Sequence, residues 1–324
     1  MKILIIRFSS IGDIVLTSPV VRCLKQQLPD AEVHYLTKKR FASLLTANPY
    51  IDKIWEYDDD FGNLLPELKK QHFSFVADLH RNIRSAWVVL NLMRPAGTFP
   101  KLNVQKWLLT NLKIDLLPEL HIVDRYFRAV KTLGVKNDGQ GLDHFIPPDE
   151  EVSLDILPLS HRDGYIAFII GARHRTKIFP AERVATICTK LPKPVVLVGG
   201  PEDAERAEMI TIAAGGWVYN TCGQLTINQS ASLVRQAERV ITNDTGLMHI
   251  AAAFKKPVIS IWGNTIPAFG MYPYLPEGME DLSGIVEVKG LHCRPCSKLG
   301  YDACPKKHFD CMNRIEDDQI LSAL

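Results

Sequence analysis

Two short segments at opposite ends of the chain carry residue types that could handle a phosphate-bearing substrate. In the first, Lys2-Ile3-Leu4-Ile5-Ile6-Arg7 reads as a strand running into Phe8-Ser9-Ser10-Ile11-Gly12-Asp13. Ile14, Val21, Leu24 and Leu28 then recur at roughly helical spacing until Pro29 ends the run. Gly12 allows a sharp turn, so Asp13 stands near a helix N-terminus on the carboxyl edge of a parallel sheet, where ligands of open α/β sheets bind. The second segment is Asn243-Asp244-Thr245-Gly246-Leu247-Met248-His249-Ile250-Ala251-Ala252-Ala253, set between strand-like runs at Arg239 to Thr242 and Pro257 to Trp262. Asp244 or Thr245 can cap this helix, leaving first-turn N–H groups to face an anion such as a nucleotide diphosphate. A plain helix cap accounts equally well for Asp13 and Asp244 when each is taken alone.

The elements that must position these residues alternate between short β-branched runs and helical patterns, the signature of parallel sheets with helical crossovers. Strands are expected at Lys2 to Arg7, Glu32 to Leu36, Ile51 to Glu56 and Phe73 to Leu79, then at Tyr165 to Ile170, Pro194 to Val198, Arg239 to Thr242 and Pro257 to Trp262. A polar stretch rich in Pro and Gly, from about Asn137 to Asp163, connects the halves. The expected division is 1–158 and 159–324, with both motifs opening into a shared cleft and a cysteine-rich segment closing the chain. The last helix is expected to pack back on the N-terminal half.

These motifs, with Thr176-Lys177-Ile178-Phe179-Pro180, Asp78-Leu79-His80-Arg81-Asn82-Ile83-Arg84-Ser85, Gly199-Gly200-Pro201-Glu202 and Cys222-Gly223, resemble the heptosyltransferase-like family of inverting glycosyltransferases, glycosyltransferase family 9. The resemblance spans nearly the whole chain. It implies an α/β, GT-B type fold, two Rossmann-like parallel-sheet domains facing across a cleft. It also implies transfer of a sugar, typically heptose from an ADP donor, onto the inner core of lipopolysaccharide.

Such a reaction needs a base for the acceptor hydroxyl and positive or N–H groups for the departing diphosphate. Asp13 is the expected base. Lys177 is the expected cation, since it follows the strand ending near Gly171 and Pro180 then opens a helix. Thr176, Glu202, Asp244, Thr245, Gly246 and His249 are the expected donor contacts, although a histidine flanked by Met248 and Ile250 also suits a packed core. On the acceptor side, Ser10, Gly12, Lys39, Arg40, His80, Arg81 and Arg84 would meet the carboxylates and phosphates of an anionic glycolipid. The stretch from Trp87 to Trp107, with Leu90, Leu92, Met93 and Phe99 among Arg94 and Lys101, reads either as core or as a contact with lipid at the inner membrane surface.

Composition narrows the classes further. With 38 basic and 36 acidic side chains the formal charge is +2, so no polyanion-binding field is implied and nucleic acid is not an expected partner. The apolar stretches are too short to cross a bilayer, and the four-residue apolar run before Arg7 is too short for a secretory signal; a cytoplasmic location is expected. Cys293, Cys296, Cys304 and Cys311 cluster near the end of the chain, and in a reducing compartment this suggests a structural zinc site, with His292 or His308 able to replace one thiolate. No cofactor is expected in the transfer itself. Two other classes remain open, a nucleotide-sugar epimerase on the same architecture and a non-catalytic nucleotide- or metal-binding protein. A nicotinamide dehydrogenase is disfavoured because no G-x-G-x-x-G follows the first strand.

Overall fold

Buried runs of Ile, Val and Leu form two all-parallel sheets, described over residues 1–324 by a computed structural model. The first contains β1 (Lys2–Ile6), β2 (Glu32–Lys38), β3 (Lys53–Tyr57), β4 (Phe75–Asp78) and β5 (Ala96–Thr98), in the spatial order β3-β2-β1-β4-β5. The second contains β6 (Ile166–Ile169), β7 (Val195–Val198), β8 (Val218–Asn220), β9 (Arg239–Asn243), β10 (Val258–Trp262) and β11 (Ser283–Glu287), in the order β11-β10-β9-β6-β7-β8. Each sheet reverses its winding once, between β1 and β4 in the first and between β6 and β9 in the second. Crevices open at such reversals, beyond the carboxyl ends of the strands. Both motifs lie there.

The eight strands anticipated from the pattern all form, within a residue or two of the expected limits. β5, β8 and β11 were not anticipated. Two of them, β5 and β8, have three residues each, and β5 reads Ala-Gly-Thr, so neither displays a period.

Residues 137–163 form turns and short helices pinned to both lobes. The buried guanidinium of Arg22 bonds Asp138 at 2.8 Å through Nε, and also holds Asp143. On the other side, Glu151 accepts from Ser232 at 2.8 Å and from Arg235 at 2.6 Å. The last helix, Asp317–Leu321, departs from expectation: it packs on the second sheet, not on the first lobe. Ile315 and Ile320 share a core with Ile259, Ile261 and Val286, and Arg183 fixes Asp317 at 2.6 Å. Its apolar side chains find the nearest uncovered sheet face, next to β10 and β11. No helix is long and apolar enough to cross a membrane.

Candidate active site

β1 ends in Ile6, and Arg7 follows as the chain leaves the sheet. The Arg7 guanidinium reaches Asp13 at 2.6 Å, the Leu79 carbonyl at 2.6 Å and the Tyr126 hydroxyl at 3.1 Å. Asp13 lies in the first turn of the helix Ile11–Val15 and accepts from the Ser10 N–H at 3.2 Å and the Ser10 hydroxyl at 2.8 Å. Its cap function and its exposure to the cleft therefore coexist, with 23% of the side chain accessible. Burial pushes the Asp13 carboxyl up, but Arg7 and the two Ser10 hydrogen bonds outweigh it and hold the group below the usual carboxylate range. Arg7 was not anticipated from the sequence. Its signal was a base closing a run of four apolar residues, six positions before the acid.

The second motif differs from expectation in its capping. Thr245 occupies the cap position of the helix Gly246–Ala253, yet no side chain caps it. Asp244 points elsewhere: Lys177 Nζ lies 2.6 Å from its carboxylate, and Thr265 donates to the same oxygen at 2.7 Å. The first-turn N–H groups thus have no capping side chain, and the helix dipole stands behind them. Asn243 delivers Lys177 to this place. Its amide donates to the Ile170 carbonyl at 2.8 Å and accepts from the Phe179 N–H at 3.1 Å, tying the Thr176–Phe179 segment across the ends of β6 and β9.

Thr176 is buried and committed to the C-terminal segment. Its hydroxyl accepts from the Tyr301 N–H at 2.8 Å and donates to the Tyr301 carbonyl at 3.0 Å. It positions Lys177 and offers no free hydroxyl to a ligand. His249 is buried beneath the helix start with Nδ1 unpartnered, and burial pushes its pKa down to about 4. Glu202 stays exposed in its turn, while the neighbouring Asp203 is the acid that closes it, accepting from the Gly200 N–H at 3.1 Å.

On the first lobe, buried Asp78 organises the loop after β4, accepting from the His80 N–H at 3.0 Å, the Arg81 N–H at 2.7 Å and the Ser85 hydroxyl at 2.8 Å. His80 packs edge-on against Phe8 with ring centroids 5.0 Å apart, and burial carries its pKa down to about 3. Arg81 bends back to the Phe99 carbonyl at 2.8 Å. Gly12 turns toward the second lobe, packed against His249 and Gly246, and not toward an acceptor space. Lys39 and Arg40 are exposed. Arg84 is directed to Asp59 at 3.9 Å, which Lys38 also holds at 2.7 Å.

Three further cations border the cleft and were not singled out for it. Arg125 is buried, donates to the Phe269 carbonyl at 2.9 Å and leaves Nε and Nη1 unpartnered. Lys106 stands over the Phe269 ring at 5.4 Å; burial, with Arg125 nearby, pulls its pKa down to about 8. Lys101 is shifted down by burial and by Arg7. They lie 88 to 112 residues beyond Asp13 in sequence, so only the fold reveals the grouping.

For Cys293, Cys296, Cys304 and Cys311, expected as thiolate ligands, no group of three or more Cys, His, Asp or Glu side chains is placed to hold an ion. The Cys296 thiol donates to the Cys293 carbonyl at 2.9 Å, Cys293 faces His308 at 3.9 Å, and Cys311 is buried in the second core.

Two Rossmann-like sheets, each opening a crevice onto the same gap, define a GT-B architecture with an acid on one wall and an uncapped helix start on the other. Residues 62–298 match the profile of glycosyltransferase family 9 (heptosyltransferase), and the chain belongs to that family. It is a glycosyltransferase. Lipopolysaccharide heptosyltransferase 1 of Campylobacter coli is 25% identical over 99% of this chain and 97% of its own. Among solved structures, a glycosyltransferase family 9 protein of Veillonella parvula superposes with TM-score 0.77 at 21% identity, covering 99% of this chain and 95% of that one. The ADP-heptose lipopolysaccharide heptosyltransferase II of Escherichia coli superposes with TM-score 0.72 at 22% identity, covering 99% of both chains.

Proposed function

We propose that this chain is an inverting heptosyltransferase, moving heptose from ADP-heptose onto the anionic inner core of a lipopolysaccharide acceptor. The observation that carries the reading is the meeting of two helix starts, one bearing Asp13 and the other an uncapped row of N–H groups beside Lys177. The names of the relatives support the choice of donor and acceptor.

In the proposed reaction the Asp13 carboxylate takes the proton of an acceptor hydroxyl while that oxygen attacks the anomeric carbon. The new C–O bond forms as the bond from that carbon to the β-phosphate oxygen breaks, and ADP departs with the electron pair. Lys177 and the N–H groups at Gly246 and Leu247 hold the added charge, with Thr245 bracing the diphosphate and Glu202 accepting from donor hydroxyls. Asp13 is ionised at neutral pH because Arg7 holds it so, which readies it to receive a proton. A base so stabilised is weak, so proton transfer runs together with C–O bond formation. Lys101, Lys106 and Arg125 present positive charge to an acidic acceptor on the same wall.

Asp13→Asn tests this directly. ADP should still raise the melting temperature of the variant, while turnover falls by about 10²- to 10⁴-fold. Turnover at the wild-type rate would remove Asp13 from the base role. Incubating donor without acceptor separates the epimerase alternative, which would return an isomeric nucleotide sugar.

A further inference from the structure

The helix Ile83–Leu92 buries Ser85, Val88 and Leu92 against the first lobe, so its opposite face should be polar. It is apolar. Ile83 is 89% exposed, Leu90 73% and Met93, which follows the helix, 84%, with Trp87 between them at 44%. Positions 83, 87 and 90 fall one turn apart, which makes a single outward stripe. The chain continues in the same character: Val104, Trp107 and Leu112 are all more than half exposed.

Charge sharpens the picture. From Arg81 to Ile114 the sequence contains six basic residues, Arg81, Arg84, Arg94, Lys101, Lys106 and Lys113, and neither Asp nor Glu. The whole chain carries only +2, so this segment concentrates positive charge that the rest of the molecule does not share.

We propose that this face docks on a bilayer surface rich in acidic phospholipid, with Trp87, Leu90 and Met93 entering the interfacial layer and Arg84 and Arg94 meeting lipid phosphates. Bulky apolar side chains with six bases and no acid in the segment itself suit an anionic interface, to which bases near the surface are drawn; Asp59, 3.9 Å from Arg84, is held by Lys38 at 2.7 Å. A second copy of the chain is a poor occupant. A two-fold contact through this face would set like charges against each other. The stripe begins at Ile83, just after the His80-Arg81-Asn82 turn that edges the cleft. Docking would therefore bring the cleft mouth to the lipid surface, and the inference rests on the glycolipid-acceptor reading only for that purpose.

Flotation of the full-length protein with phosphatidylcholine vesicles, with and without phosphatidylglycerol, tests it. The wild type should float with the acidic vesicles and stay behind with the neutral ones, and its tryptophan emission should shift to the blue on binding. The double substitution Leu90→Ser, Met93→Ser touches only exposed side chains and should cut partitioning about tenfold or more while the ADP-induced melting shift is retained. No binding by the wild type, or equal binding by the double variant, overturns the proposal. So does a wild-type dimer that the double variant breaks, since the face would then be a contact between copies. Loss of the ADP shift in the wild type would instead count against the donor reading and leave the vesicle result standing.

Discussion

Gly12 of the first lobe is packed directly against Gly246 of the second. A β-carbon on Gly12 would stand 3.2 Å from the Gly246 Cα and 2.6 Å from His249 Cδ2, and one on Gly246 would meet the Ile11 β-carbon at 2.8 Å. The two helices can begin this close only because neither residue has a side chain, and that closeness holds the acid near the anion cradle.

Gly12→Ala should therefore wedge the lobes apart. The His249 ring is buried and cannot swing aside, so the substitution should cost about 1–3 kcal/mol by overpacking. Transfer should fall more than stability does, because Asp13 is displaced from the donor. Urea unfolding beside steady-state kinetics measures both; a variant as active as the wild type would show the approach to be incidental.

Arg7→Met should move the acid limb of the kcat/KM profile to higher pH. Asp13 is held below its ordinary range by Arg7 and Ser10, and without the Arg7 charge the burial that pushes the carboxyl up is opposed only by the two Ser10 hydrogen bonds. The wild-type limb reports protonation of the base in the free enzyme. An unshifted limb in the variant would show that another group sets it. The pair also stabilises the wild-type fold above the carboxyl's unfolded pKa of about 3.9, and that contribution is lost as pH falls through the depressed folded value.

Thr176→Val should remove both hydroxyl bonds to Tyr301 while keeping the side-chain volume. The Tyr301 carbonyl keeps the Thr176 N–H at 3.1 Å, so losing the partner of the part-buried Tyr301 N–H should cost about 1 kcal/mol, and donor KM should rise because Lys177 loses part of its anchor. Thr176→Ser keeps the hydroxyl and should restore KM. Equal donor KM in wild type and Thr176→Val would break the link between this clasp and Lys177.

Stability should fall as pH drops below about 6.5. His121 is buried with a pKa near 3, and His144 and His249 are pushed to about 4, all by burial, from an ordinary value of 6.5. Their folded values lie below the unfolded one, so unfolding takes up protons in this window; stability is intact above pH 6.5 and erodes toward pH 4. Urea midpoints across that range check the slope. A flat response would mean that these rings are solvated.

Legibility in the sequence followed the strength of local pattern. β1 and β6 are largely apolar runs and β9 and β10 largely β-branched ones, each followed by turn residues, so their strand ends, and Asp13 and Asp244 with them, could be placed. The edge strands β5 and β8 are too short to have a period. Asp244 could be read as a cap because Asp is common there. Its turn toward Lys177 depends on Thr265 and on Asn243 bridging two strands, which no local spacing records. Among the cysteines near the end of the chain, nearness in sequence likewise did not decide where each thiol points.

On the proposed donor reading, the Lys177–Asp244 contact governs what the site admits. Its cation is already engaged, with Thr265 steadying the partner carboxylate. A visitor must outbid one negative charge to capture the ammonium, which a pyrophosphate can do and a neutral sugar cannot. In the proposed reaction such a pocket would screen by charge before shape, and the carboxylate would reclaim its partner as the nucleotide leaves.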